Sequence, residues 1–129
     1  MAKANPSLPT DAELEILRVL WKRGPSTVRE VFEELKEAKP VGYTTVLKFM
    51  QIMAEKGLVR RNEEHRTHIY SSMAPRESTQ RQMVSDLLNR AFGGSATQLV
   101  MQALSAKRAT PGEIDQIRRL LDEYQEKRK

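Results

Sequence analysis

Between residues 46 and 53 apolar side chains return at every third or fourth position: Val46, Phe49, Met50 and Met53 stand at i, i+3, i+4 and i+7. That spacing lines one face of an α-helix, and Thr44, Thr45, Lys48 and Gln51 fall off the stripe. The same period runs upstream. Leu14, Leu17, Leu20 and Trp21 follow Thr10-Asp11-Ala12-Glu13, a capping box in which the Thr10 hydroxyl and the Glu13 carboxylate each satisfy a free amide, and Gly24-Pro25 closes the helix. Val28, Val31, Phe32 and Leu35 follow a second box, Thr27-Val28-Arg29-Glu30, with Pro40 placed to stop that helix. Gly57 predicts a left-handed cap after Lys56.

Beyond Gly57 the period shortens to two. Residues 58–62 and 67–71 are expected to pair as a hairpin, with strand propensity from Ile69 and Tyr70 and a tip at residues 63–66. That tip has no glycine, so its turn type stays open. After Ala74-Pro75 the helical period returns in Met83, Val84, Leu87, Leu88 and Ala91, ending at Gly93-Gly94. Ser95 can cap a short helix through Leu104. Thr110-Pro111-Gly112-Glu113 is a third capping box, and Ile114, Ile117, Leu120, Leu121 and Tyr124 follow it on one face, with a frayed polar tail expected from Glu126 onward. The predicted class is mainly α with a small β-hairpin. Three helices followed by a hairpin describe a winged helix-turn-helix over residues 1–75, and a second helical domain fills residues 76–129.

Composition narrows what such a chain can do. In 129 residues, 39% hydrophobic and 30% charged, neither half has much core of its own, so self-association is expected. A net charge of +5 favours an anionic partner. Lys and Arg outnumber Asp and Glu by twelve to ten up to residue 75 and by ten to seven beyond it, so bulk charge does not locate the partner site. The absence of cysteine excludes disulfides, thiol nucleophiles and thiolate metal cages, and suits a reducing cytoplasm. No apolar leader or membrane-length apolar run is present, which predicts a soluble cytoplasmic protein that meets no membrane.

Catalytic and metal chemistry find little support. His65 and His68 are the only histidines and lack a suitable third ligand nearby, so no metal is expected. Gly93-Gly94-Ser95 follows no strand and reads as a hinge and cap rather than a nucleophile elbow. The acid pairs Glu33-Glu34 and Glu63-Glu64 read as solvated surface. No enzyme activity and no cofactor are predicted.

The outward face of helix 3 carries the chemistry that remains. Thr44, Thr45 and Lys48 put two hydroxyls and a cation on adjoining turns at the helix N-terminus, the end that enters the DNA major groove in this motif. Arg60, Arg61 and Arg66 on the hairpin are candidates for backbone phosphates, and Thr27, opening helix 2, is a further candidate contact. Double-stranded DNA is the expected partner. The alternative is a protein-interaction module in which the basic charge is incidental.

Several stretches resemble the BlaI/MecI family of penicillinase-type transcriptional repressors: Pro9 to Leu35, Gly42 to Arg61, Ile69 to Met73 and Phe92 to Leu104. The most specific pieces are Glu-x-x-Ile-Leu-x-x-Leu-Trp, here Glu13 to Trp21, and Tyr-Thr-Thr-Val, here Tyr43 to Val46. The resemblance implies a homodimer with a C-terminal helical dimerisation domain that binds a dyad-symmetric operator, relieved by a sensor protease or another derepressing factor. It places Tyr43, Thr44, Thr45 and Lys48 in the recognition helix and Arg66 in the wing. Met83, Leu87, Leu88, Leu99, Val100, Leu104, Ile117 and Leu121 fall in its dimer core, in agreement with their amphipathic helices. Where the antibiotic-sensing branch carries a cleavable Asn-Phe bond, this chain has Gln102-Ala103. It also lacks the cysteine cluster of the copper-responsive branch and the wing-tip glycine of many members.

Overall fold

The structure, a computed structural model, describes residues 8–128. The first seven residues, on which the expectation of no apolar leader partly rests, and Lys129 lie outside the described residues. The order is α1 (Asp11–Arg23), α2 (Val28–Lys36), α3 (Tyr43–Lys56), β1 (Val59–Asn62), β2 (Ile69–Ser72), α4 (Arg76–Phe92), α5 (Ala96–Ala106) and α6 (Pro111–Lys127). All three predicted capping boxes close: Thr10, Thr27 and Thr110 each accept from the amide three residues on, and the carboxylates of Glu13, Glu30 and Glu113 accept in return. The chain separates into two compact units, one ending at Asp86 and the other beginning at Leu87, so the division falls inside α4.

The first unit holds the core. Ile16, Leu17, Val19 and Leu20 of α1 meet Val28 and Val31 of α2, Val46, Met50 and Met53 of α3, and Val59 and Tyr70 of the hairpin, all nearly inaccessible to solvent. Removing such a side chain from water is worth about 1.5–3 kcal/mol, which fixes the three helices against one another. The expected α1 stripe shifts in the process. Ile16 and Val19 are buried, whereas Leu14 and Trp21 are only half-covered at its edge. Trp21 sits there because its indole N–H needs an acceptor, and it donates to Ser72 Oγ at 3.0 Å and to the Ala74 carbonyl at 3.2 Å.

Ends of elements differ from the predicted ones for local reasons. Helix α2 stops at Lys36, before Pro40, because the Leu35 carbonyl accepts from both Ala38 and Lys39 and tightens the chain into a turn. Gly57 adopts φ 82°, a left-handed conformation that suits glycine, and the Leu58 amide then donates to the Met53 carbonyl. That bond keeps Leu58 out of β1. The strands pair antiparallel with Val59 opposite Ser72 and Asn62 opposite Ile69, which lengthens the tip to residues 63–68. Its start is an Asx turn, the Glu64 amide donating to Asn62 Oδ1 at 2.9 Å.

One strand contact has no counterpart in the sequence reading. Ser26, between α1 and α2, exchanges both backbone hydrogen bonds with Tyr70 at 2.9 and 2.8 Å. The hairpin thereby gains a one-residue third strand and is anchored to the helical core. At the other end of the chain α6 continues through Lys127 instead of fraying at Glu126, since Gln, Glu and Lys are strong helix formers. Among the described residues no helix is long and apolar enough to cross a membrane.

Candidate nucleic-acid interface

Helix α3 divides as its sequence period demands. Val46, Met50 and Met53 are buried, Phe49 is half-buried, and Thr44, Thr45, Lys48 and Gln51 are exposed on the opposite side. Tyr43 opens the helix at 37% exposure. The N-cap is Gly42, which has no side chain to offer, whereas Thr or Ser hydroxyls cap α1, α2, α5 and α6. The first amides of α3 therefore stay available, and the helix dipole adds a partial positive charge at the same end.

The hairpin sorts its arginines by register. Arg61 lies opposite Tyr70 on the side of the buried Val59, and Arg60 lies opposite Ser71 on the other side. Arg61 is engaged: the Tyr70 hydroxyl, then the Glu63 carboxylate at 2.7 Å, hold its guanidinium even more firmly in the charged form. Arg60 and Arg66 make no ion pair with a described residue. His65 and His68 are exposed on the tip.

Charge pairing elsewhere sharpens the contrast. On α1 and α2, Lys22 and Arg23 meet Glu34 at 3.2 and 3.6 Å, Arg23 meets Glu30 at 3.1 Å, and Lys36 meets Glu33 at 2.7 Å. Their charges are largely compensated within the protein. Lys48, Arg60 and Arg66 on α3 and the hairpin make no ion pair with a described residue, and on α1 neither does Arg18. Bulk composition could not show this, because the excess arises from pairing in space rather than from the number of cations.

Thr27 and Arg29 occupy the start of α2. Thr27 Oγ1 accepts from the Glu30 amide at 3.1 Å, which leaves its own hydrogen free to donate. The Thr27 amide hydrogen bond first, and the Arg23 charge less strongly, hold the Glu30 carboxyl below its ordinary range. Arg29 was not among the sequence candidates. Its guanidinium carbon sits 4.7 Å from the centre of the Tyr43 ring and 5.7 Å from that of Phe32, and those two rings meet edge to face at 5.8 Å and 83°. The available signal was a basic residue in the first turn of the helix preceding α3.

Three helices, the third with one bare polar face, and a hairpin anchored by a third strand define a winged helix-turn-helix protein. The penicillinase repressor pattern matches residues 9–123, so the chain belongs to the penicillinase repressor family, a family of transcriptional repressors. It is 24% identical to the penicillinase repressor of Bacillus licheniformis over 93% of this chain and 94% of that one. It is 31% identical to the transcriptional regulator BlaI of Mycobacterium tuberculosis over 89% of this chain and 83% of that one. The solution structure of the DNA binding domain of the repressor BlaI shares its fold, with a TM-score of 0.50 at 24% identity over 57% of this chain and 90% of the other.

Proposed function

We propose that the protein is a cytoplasmic, sequence-specific DNA-binding repressor that grips a dyad-symmetric operator as a homodimer. Residues 1–75 form the DNA-binding domain and residues 76–129 the dimerisation domain. Helix α3 enters the major groove, where Thr44, Thr45 and Lys48 meet base edges, while Tyr43 and the uncapped first turn lie toward the backbone. Arg60 and Arg66 neutralise phosphates, with Arg61 and Thr27 completing the backbone contacts. The observation that carries this reading is that Lys48, Arg60 and Arg66, on α3 and the hairpin, make no ion pair with a described residue, whereas Lys22, Arg23 and Lys36 of α1 and α2 are paired.

Dimerisation has its own support. Leu87, Val100, Leu104 and Leu121 are exposed in the single chain, Met83, Leu88, Leu99 and Ile117 are only half-covered, and α5 and α6 contain no buried residue. A second copy would cover these bands by two-fold symmetry.

Binding of a mixed-sequence duplex followed against salt concentration tests the DNA reading. Arg60 and Arg66 from two protomers give a logarithmic slope on the order of −4 or steeper, through counterion release. A flat response would favour the protein-interaction module instead.

A further inference from the structure

We infer that Arg29 is a backbone-phosphate contact seated on the Tyr43 ring, so that the start of α2 and the start of α3 hold one DNA strand together. The inference rests on the DNA-binding reading above. Arg29, Phe32 and Glu33 follow the i, i+3, i+4 spacing of one face of α2. Because α3 begins at Tyr43, its first ring meets Phe32 edge to face, and Arg29 lies over both rings with the closer approach, 4.7 Å, to Tyr43. A guanidinium resting on a ring keeps its N–H donors at its own edge, in the fork that suits a phosphate.

Among the described residues those donors meet only one long ion pair, with Glu33. Glu33 Oε1 is 3.7 Å from Arg29 Nη1, beyond hydrogen-bond reach, and the Glu33 carboxylate is already engaged by Lys36 at 2.7 Å. The Arg29 side chain is 63% exposed, so neither its charge nor its donors serve the core. Two further features lie beside it: the Thr27 hydroxyl, two positions earlier on the chain, which retains a hydrogen to donate, and the uncapped first turn of α3, which starts at the Tyr43 whose ring Arg29 covers. An extended backbone passing this corner would meet a pre-positioned planar cation. The ring contact orients Arg29 before DNA arrives, which a lysine at the same place would not reproduce.

The test compares the full-length protein with Arg29→Gln and Arg29→Lys on a mixed-sequence duplex and on a sequence selected by the protein, across a range of salt. Arg29→Gln is expected to lower the magnitude of the logarithmic salt slope by about 2, one phosphate from each of two protomers, and to weaken both duplexes alike. Arg29→Lys is expected to keep the slope yet lose about five- to thirtyfold in affinity on both, the worth of one exposed ring contact in each of two protomers. An unchanged slope and affinity for Arg29→Gln would overturn the phosphate role. Lysine performing as well as arginine would overturn the ring-seated geometry. The seat is also checked without DNA: proton resonances of the Arg29 side chain should be shifted upfield by the ring and return to ordinary positions in Tyr43→Leu. Shifts that do not move with Tyr43 contradict the inference, whereas a wild-type protein that binds no duplex removes the parent reading and this one with it.

Discussion

Among the described residues, the eleven buried apolar side chains all lie between Ile16 and Tyr70, while α5 and α6, with 28 residues between them, bury none. Both regions are rich in apolar residues at helical spacing, and both have well-capped helices. What separates them is geometry. Around α3 three helices and a hairpin surround a common centre, so each apolar face finds a partner within the unit. The second unit instead presents Leu104, Leu120, Leu121 and Tyr124 at 38–64% exposure. Caps alone do not sustain helices of 11 and 17 residues in water, and in the proposed homodimer a second copy would cover those faces. Periodicity tells which face is apolar, and closure of the core tells whether the chain itself covers it.

Placing a charge on the unclosed face is the strongest way to break this comparison. Leu87→Asp is expected to cost the association about 3–5 kcal/mol by burying an unpaired carboxylate, and to leave monomers whose first unit still folds. Sedimentation at low micromolar concentration reads the outcome directly. An unchanged mass would mean that Leu87 is ordinary surface, where such a change is worth only about 0.5 kcal/mol.

A charge inside the closed unit probes the other side. Glu13 is 2% exposed, and Lys56 Nζ lies 2.9 Å from both of its carboxylate oxygens, tying the start of α1 to the end of α3. Burial pushes the Glu13 carboxyl up, but the Thr10 amide and then Lys56 outweigh it and hold it below the ordinary 4.5. Glu13→Gln keeps the capping bond to Thr10 and loses the ion pair. With the Lys56 side chain 34% exposed, a cost of about 1–3 kcal/mol is expected in the melting of the first unit. A carboxyl with a depressed folded value stabilises the protein above its unfolded value, and that contribution fades as pH falls below about 4.5 toward the folded value. Wild type should therefore lose stability on acidification more steeply than Glu13→Gln. Parallel acid curves would show that the pair contributes nothing.

The smallest effect on stability belongs to a substitution that acts on recognition. Lys48→Ala should leave both units as stable as before, within about 0.5 kcal/mol, because Lys48 is exposed and unpaired among the described residues. It should narrow the preference for operator over random duplex by about 1–3 kcal/mol if Lys48 meets a base edge. An equal loss on both duplexes would reassign it to phosphate.

The sequence carried all eight elements, because three capping boxes, Gly57 and the change of period are local signals. Helix α3 was legible as a two-faced helix for the same reason. What it did not carry was long-range. The Ser26 bridge to Tyr70, the Glu13 pair with Lys56 across 43 positions, and the cover of Arg29 on Tyr43 all depend on how helices pack. The separate settings of Arg60 and Arg61 also needed the strand register, since neighbouring strand residues face opposite ways.

Selection of bound duplexes from a random pool by the purified protein at near-physiological salt addresses base reading and two-fold assembly together. The expected result is enrichment of an inverted repeat whose half-sites lie about one helical turn apart, or a multiple of it. Recovery of a folded protein with no enriched sequence, or of a single unrepeated half-site, would contradict a dimeric operator-binding repressor.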